Sequence, residues 1–159
     1  MRSVAGAAAA SIAFAVLAPG TVVGLAPWLV ARWFPEPVLP AAIRPVGWLL
    51  VIPGLAVLAD SFIRFVRARG TPAPPAPTEH LVVAGLYRWV RNPMYVAIVA
   101  TLVGEALLYA RAAVLAYAAA VWVAFHLFVV LYEEPALARR FGSGYEDYRR
   151  RVGRWVPRR

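Results

Sequence analysis

Two apolar runs joined by only two residues make up the stretch RNPMYVAIVATLVGEALLYARAAVLAYAAAVWVAFHLFVVLYEEP, residues 91–135. The first run extends from Pro93 to Tyr109 and the second from Ala112 to Tyr132. Each comes close to the roughly 20 residues that cross a bilayer as a helix. Because only Ala110-Arg111 separates them, the two helices should form a tight antiparallel hairpin. The start of the first helix and the end of the second should therefore lie at the same membrane face.

Another apolar segment, the first along the chain, runs from about Val4 to Ala31 without a charged residue. Pro19-Gly20 and Pro27 should bend this segment or divide it into two pieces. A signal peptide is the alternative interpretation of its first part, because Arg2 precedes an alanine-rich core. The unbroken apolar run favours a membrane helix.

The remaining apolar segment spans about Pro45 to Val66 and carries Asp60 and Arg64 near its end. These two residues are four positions apart, so they can form an ion pair on one helix face. Between this segment and the hairpin, Thr71 to Thr78 contains four prolines in eight residues. Such a composition favours an extended spacer, which could also form one wall of a pocket.

Composition supports an all-α integral membrane protein, since 62% of the 159 residues are hydrophobic. A chain of this length has room for about four crossings in one domain, residues 1–159, with no separate soluble domain. It contains no cysteine, which excludes disulfides, thiolate metal sites and cysteine nucleophiles. The sequence predicts no metal site formed by other residue types either.

The distribution of arginines predicts the orientation of the chain. With a cytoplasmic amino terminus and four crossings, 14 of the 17 arginines lie inside, and only Arg32, Arg44 and Arg111 lie outside. This arrangement agrees with the positive-inside rule. We therefore expect a multi-pass protein of the cytoplasmic cell membrane, in contact with membrane lipids, with both termini in the cytoplasm.

After Leu137 the chain has an amphipathic pattern in which apolar and aromatic residues alternate with arginines, the former being Phe141, Tyr145, Tyr148, Val152 and Trp155. The pattern predicts a helix that lies on the cytoplasmic leaflet, with its basic side towards anionic lipid. Such a helix could also cover a pocket at this face. No nucleic-acid partner is expected, because membrane attachment accounts for the positive charge.

Asn92-Pro93 has the sequence of a helix start, because asparagine accepts hydrogen bonds from the first turn and proline suits the first helical position. Helix amino termini attract anionic groups. Arg88 and Arg91 add positive charge beside this one. From this segment alone, a bound ligand anion and lipid headgroups explain the charge equally well.

Glu133-Glu134-Pro135 should end the second helix of the hairpin, which is the fourth along the chain. The helix dipole disfavours carboxylates at this end. The two acids therefore need a compensating cation, which is either a nearby arginine or the ammonium group of a ligand. Because the hairpin brings this end beside Asn92-Pro93, anion donors and carboxylates should flank one pocket. Such a pocket suits a zwitterion.

Two further ionisable residues fall inside the apolar runs, where they are functional candidates by default. Glu105 lies near the far end of the third helix, which favours an interfacial, structural role. His126 either points into an acceptor tunnel or forms a hydrogen bond between helices.

The two motifs together resemble the superfamily of isoprenylcysteine carboxyl methyltransferases and phospholipid N-methyltransferases, with asparagine variants among its bacterial members. The shared positions are Gly85, Tyr87, Arg91, Asn92, Pro93 and Tyr95, followed by Glu133, Glu134, Leu137, Phe141, Gly142, Tyr145 and Tyr148. The resemblance covers residues 79–157, about half of the chain.

The resemblance implies a membrane methyltransferase that binds S-adenosyl-L-methionine and acts on a lipophilic or lipid-linked acceptor. It also implies the residues that contact this cofactor, namely Glu79, His80, Leu81, Val82, Tyr87, Asn92, Pro93, Met94, Tyr95 and Glu133. The methionyl part of the cofactor is a zwitterion of the kind inferred above. If an acceptor acid must be steered or an amine deprotonated, the candidate catalytic residues are Arg91, Glu134 and Arg154.

The chain departs from the superfamily pattern at two positions. Members acting on prenylated cysteine have histidine in place of Asn92, and an arginine for the substrate carboxylate in place of Val129. A prenylcysteine carboxylate is therefore disfavoured as the acceptor. The alternatives to methyl transfer are a nicotinamide-dependent membrane reductase related to sterol reductases, which have a similar Arg-(His or Asn)-Pro-x-Tyr segment, and a non-enzymatic helical scaffold.

Overall fold

The computed structural model describes residues 9, 12–14, 17–35, 40–67 and 80–158. Over these residues the chain is helical and forms no strand, which confirms the all-α fold class. The main helices are α1 (Ala26–Trp33), α2 (Arg44–Arg67), α3 (Pro93–Tyr109), α4 (Ala112–Phe128), α5 (Glu134–Phe141) and α6 (Ser143–Arg151). The proline-rich spacer, Glu79 and most of the first segment before Leu17 lie outside the described residues.

Two helical runs are long and apolar enough to cross a membrane, Ala41–Arg67 with 27 residues and Ala112–Phe141 with 30. Helix α3 is apolar but shorter. The membrane character of the chain is thus supported, whereas the count of four crossings, the orientation and the single domain stay predictions.

The predicted hairpin of α3 and α4 is present; α3 has the predicted bounds, and α4 begins at the predicted Ala112. Ala110 adopts the left-handed conformation with φ 55°. The N–H of Ala110 donates to Leu107 O at 3.1 Å, and the N–H of Arg111 donates to Ala106 O at 3.0 Å. These bonds satisfy carbonyl groups at the end of α3 and reverse the chain within two residues.

The fourth helix does not end at Glu133-Glu134-Pro135 as the sequence predicted. It continues through a π-helical turn, Val129–Glu133, directly into α5. A wide π-turn before Pro135 makes room for the proline ring and accommodates its missing N–H. A second π-turn, Gly20–Leu25, precedes Pro27 in the same way, so the described part of the first segment stays helical into α1.

The amphipathic region after Leu137 is helical, as predicted, but it consists of two helices rather than one. Gly142 separates α5 from α6 with φ 52° and ψ −129°, a backbone conformation that glycine adopts readily and other residues avoid. Tyr145 and Tyr148 are only 2% and 7% exposed, so they face the protein and not the membrane interface. They pack with Leu137 and other apolar side chains because α6 folds back against the hairpin end.

Small residues allow α2 and α3 to approach closely. A Cβ atom added to Gly47 would lie 2.5 Å from Gly104 O, and one added to Gly54 would lie 2.2 Å from Thr101 Oγ1. Glycine at these crossings is the usual means of close helix association within membranes. This close contact fixes α3, including its amino-terminal end, against α2.

Candidate active site at the start of helix α3

The start of α3 is held by the carboxyl-terminal segment of the chain. Asn92 occupies the N-cap position, as predicted. Its side chain, however, forms no hydrogen bond with the first turn, so this part of the prediction was wrong. Its Nδ2 instead donates to Arg154 O at 3.2 Å. The backbone N–H of Arg91 donates to Gly153 O at 2.8 Å. The amide of Asn92 is therefore used for a tertiary contact and not for a local cap.

Arg91, Glu134 and Arg154, the three predicted catalytic residues, form one ionic cluster. Arg154 binds Glu134 through two hydrogen bonds, Nε to Oε1 at 2.6 Å and Nη2 to Oε2 at 3.0 Å. Arg91 Nη1 lies 3.1 Å from Glu134 Oε1, and these two side chains are only 9% and 11% exposed. Two guanidinium groups around one carboxylate leave a net positive charge at the start of α3.

Glu133 has a different partner from its neighbour Glu134. Tyr95 Oη donates a hydrogen bond to Glu133 Oε2 at 2.8 Å. The ring of Tyr95 also packs against Phe125, with 4.7 Å between ring centroids. Consecutive residues on a helix point in different directions, so Glu134 reaches the arginines and Glu133 reaches α3.

A small pocket of about 70 Å³ lies between these two acids, and we call it the polar pocket. Its lining includes predicted cofactor contacts and predicted catalytic residues, namely Leu81, Val82, Tyr87, Arg91, Asn92, Glu133 and Glu134. Other predicted residues lie close by but outside this lining: His80, Pro93 and Arg154. Met94 and Tyr95 face a different cavity.

The polar pocket has one wall that the sequence analysis did not assign to the site. Tyr145 and Tyr148 of α6 supply it, together with Phe65 of α2. Burial raises the pKa of both tyrosines above the ordinary value of a phenol, so they stay protonated. Tyr148 Oη donates to Tyr87 O at 2.7 Å, and Tyr145 Oη accepts a hydrogen bond from Arg91 Nη1 at 3.1 Å.

Both tyrosines belong to the motif that carries the family resemblance, and this could have identified them as site residues. Phe65 has no such signal, because it is one of many apolar residues on α2. Only the folded structure places it at the pocket.

Met94 and Tyr95 line an apolar cavity of about 330 Å³ on the other side of α3. The first helical segment, α3 and α4 border it, and its lining among the described residues includes Phe125 and Phe128 but no charged residue. Tyr95 borders this cavity while its hydroxyl group binds Glu133 of the polar pocket. The two spaces therefore meet at the hydrogen bond between Tyr95 and Glu133.

The other ionisable candidates lie outside both spaces. His126 Nδ1 accepts a hydrogen bond from Trp155 Nε1 at 3.3 Å, so its partner is the carboxyl-terminal segment and not another membrane helix. Asp60 and Arg64 form the predicted pair, with bonds of 2.6 and 2.9 Å. Glu105 is partly buried, and its Oε2 has no hydrogen-bond partner among the described residues.

The fold is similar to that of a solved eukaryotic protein, the intramembrane Ras methyltransferase named isoprenylcysteine carboxyl methyltransferase. The two chains superpose with a TM-score of 0.65 at 21% sequence identity, covering 92% of this chain and 60% of that one. This chain therefore corresponds to less than two thirds of that protein. A search of curated proteins by sequence found no match.

A family model described as phospholipid methyltransferase matches residues 43–144. The match includes α2, the α3–α4 hairpin, α5 and both acids of the polar pocket. Because it covers well over half of the 159 residues, the chain belongs to the phospholipid methyltransferase family.

Proposed function

We propose that this protein transfers a methyl group from S-adenosyl-L-methionine to a nucleophile on a lipophilic acceptor at the cytoplasmic face of the membrane. The observation that carries the proposal is the meeting of a polar, charged pocket and an apolar cavity at Tyr95 and Glu133. A transfer between a polar cofactor and a lipid-like acceptor requires this kind of junction.

The charges around the polar pocket suit the zwitterionic methionyl group of the cofactor. Arg91 and Arg154 outnumber Glu134 on one side, and Arg91 Nε is buried without a hydrogen-bond partner among the described residues. A ligand carboxylate would supply that partner. Glu133, on the opposite side, would then bind the ammonium group. His80 to Val82, Tyr87, Asn92 and Pro93 would surround the rest, with Glu79 as a further predicted contact. Met94 and Tyr95, which line the apolar cavity, would contact the cofactor only where it meets the acceptor.

The apolar cavity supports a lipophilic acceptor, because it lies between membrane-type helices and the described residues of its lining carry no charge. When bound, the cofactor would supply an electrophilic methyl group, so transfer requires no nucleophile from the protein. The chain would act by holding the two reactants in line and excluding water.

The acceptor nucleophile would be a carboxylate, an amine or another group presented from the apolar cavity. Arg91 and Arg154 would steer an acidic acceptor, and Glu134 would hold both arginines in place. For an amine, Glu134 would have to accept the proton, but two guanidinium groups already bind it, so the cluster suits an acidic acceptor better.

Titration calorimetry of the solubilised protein with S-adenosylhomocysteine tests the cofactor proposal. We expect binding, and we expect Glu133→Gln to weaken it by about tenfold, as loss of a charged hydrogen bond implies. Glu105→Gln makes the same chemical change away from the pocket and should leave affinity unchanged. No binding by the folded protein would refute the methyltransferase proposal, and binding of a reduced nicotinamide dinucleotide instead would support a reductase.

A further inference from the structure

The polar pocket is too small for the proposed cofactor in the conformation seen here. Its volume of about 70 Å³ is well below the roughly 300–1,000 Å³ of ordinary ligand pockets, whereas the cofactor joins a complete nucleoside to an amino acid. A second space of about 500 Å³, which we call the outer pocket, also borders α6. The two pockets share the residues Leu81 and Tyr148 in their linings. Tyr148 thus separates a small inner space from a large outer one.

Helix α6 carries this separating wall and is attached differently at its two ends. At its start, Gly142 has a backbone conformation that few other residues adopt, and a Cβ atom placed there would meet nothing within 4 Å. Beyond its end, the chain is anchored by the bond from Arg91 N to Gly153 O and by ring contact between Trp155 and Trp122, with centroids 4.5 Å apart. The start of α6 is therefore the end that can turn.

Two hydrogen bonds and one small apolar cluster hold α6 against the pocket. Its inner face contributes the bond from Tyr148 Oη to Tyr87 O and the bond that Tyr145 Oη accepts from Arg91. Its outer face carries charged residues whose ion pairs are local, such as Arg149 with Glu146 at 2.8 Å. These local pairs would survive a rigid rotation of the helix. Opening α6 would therefore break two hydrogen bonds and expose two tyrosine rings.

We propose that α6 is a lid over the cofactor site and that Tyr148 is the positioning residue that latches it to Tyr87. Opening joins the outer and polar pockets, the cofactor enters through the outer pocket, and α6 closes over it. This inference rests on the proposed function for the identity of the ligand, but the movement of α6 can be measured without any ligand.

Binding kinetics of S-adenosylhomocysteine, followed by surface plasmon resonance on the full-length protein, test the latch. In Tyr148→Phe we expect the association and dissociation rate constants both to rise about fivefold, the effect of one neutral hydrogen bond. The Kd should stay nearly constant, because the lost bond stabilises the closed lid in the free and the bound protein alike. Tyr132→Phe, at an exposed tyrosine, is the matched control. A faster dissociation with unchanged association would show that Tyr148 is only a contact residue and would overturn the proposal.

Gly142, at the end of α6 that can turn, would be the hinge of the lid, and a matched pair of variants tests it. Gly142→Ala and Gly24→Ala both add a methyl group that meets no atom within 4 Å, but only Gly142 has a positive φ. Backbone strain in Gly142→Ala should disfavour the closed lid and raise both rate constants on the order of tenfold. Gly24→Ala, which lies outside the linings of the polar and outer pockets, should match the unmodified protein. Equal behaviour of the two variants would contradict a hinge at Gly142.

Hydrogen–deuterium exchange of the ligand-free protein separates the lid from the proposed function. Amides of α6 should exchange faster than those of α3, and Tyr148→Phe and Gly142→Ala should accelerate them further. Protection of α6 equal to that of α3 in all variants would overturn the lid, even if the cofactor analogue binds. Fast exchange in α6 without any binding of S-adenosylhomocysteine would support the movement of α6 and refute the proposed cofactor site.

Discussion

The two ends of helix α3 are stabilised in opposite ways. The carboxyl-terminal end closes by bonds within five residues, from Ala110 and Arg111 to carbonyls of the last turn. The amino-terminal end depends on residues about 60 positions away, since Arg91 and Asn92 bind Gly153 and Arg154. One end is a local turn, and the other is a tertiary site.

This difference explains why the predicted functional residues gather at only one end. The backbone of the local turn offers little to a ligand, because the carbonyl groups of Ala106 and Leu107 are already bonded within it. The tertiary end brings together charges from α3, α5 and the carboxyl-terminal segment. Stability and function should therefore be coupled at the start of α3 and independent at its end.

The largest effect on this coupling is expected from Glu134→Gln. Two arginines would lose the carboxylate between them, and breaking a buried ion pair in this way lowers the free energy of unfolding by about 3 kcal/mol. Thermal unfolding in detergent measures the loss. The control is Glu146→Gln, which makes the same change in the exposed pair with Arg149 and should have an effect below about 1 kcal/mol. Equal effects would mean that the cluster contributes no more than a surface pair.

A smaller effect is expected from Asn92→Asp, which distinguishes a local cap from a tertiary contact. Aspartate caps helices as well as asparagine does, but it cannot donate to Arg154 O when ionised. We expect the free energy of unfolding to fall by about 1 kcal/mol, with weaker binding of S-adenosylhomocysteine. Unchanged stability in chemical unfolding would show that Asn92 acts only as a cap.

The smallest effect is expected at the other end of α3, from Ala110→Gly. Glycine adopts the left-handed conformation of Ala110 without strain, but it removes a fully buried methyl group, so the two effects should nearly cancel and the free energy of unfolding should change by less than about 1 kcal/mol. Cofactor affinity should not change. Ala113→Gly, in the first turn of α4, should instead lower stability by about 1 kcal/mol. A change in affinity with Ala110→Gly would contradict the independence of the two ends.

Local patterns in the sequence were enough to predict much of the fold. The helical hairpin, the bounds of α3, the pair of Asp60 and Arg64 and the family all follow from apolar run length, proline position and motif spacing. These features depend on residues close to each other in the chain, or on motifs whose order is visible in it. The continuation of the fourth helix past Pro135 did not follow, because a π-turn that accommodates proline has no simple sequence signal.

Only the tertiary structure decided which partner each polar residue binds. The sequence placed Glu133 and Glu134 side by side without their partners, and only the fold directs one to Tyr95 and the other to two arginines. Likewise, Asn92 was predicted as a cap, and only the returning carboxyl-terminal segment offers its amide a different partner. Sequence determines which groups are available, but a hydrogen bond forms between atoms that meet in space, and long-range packing decides which atoms meet.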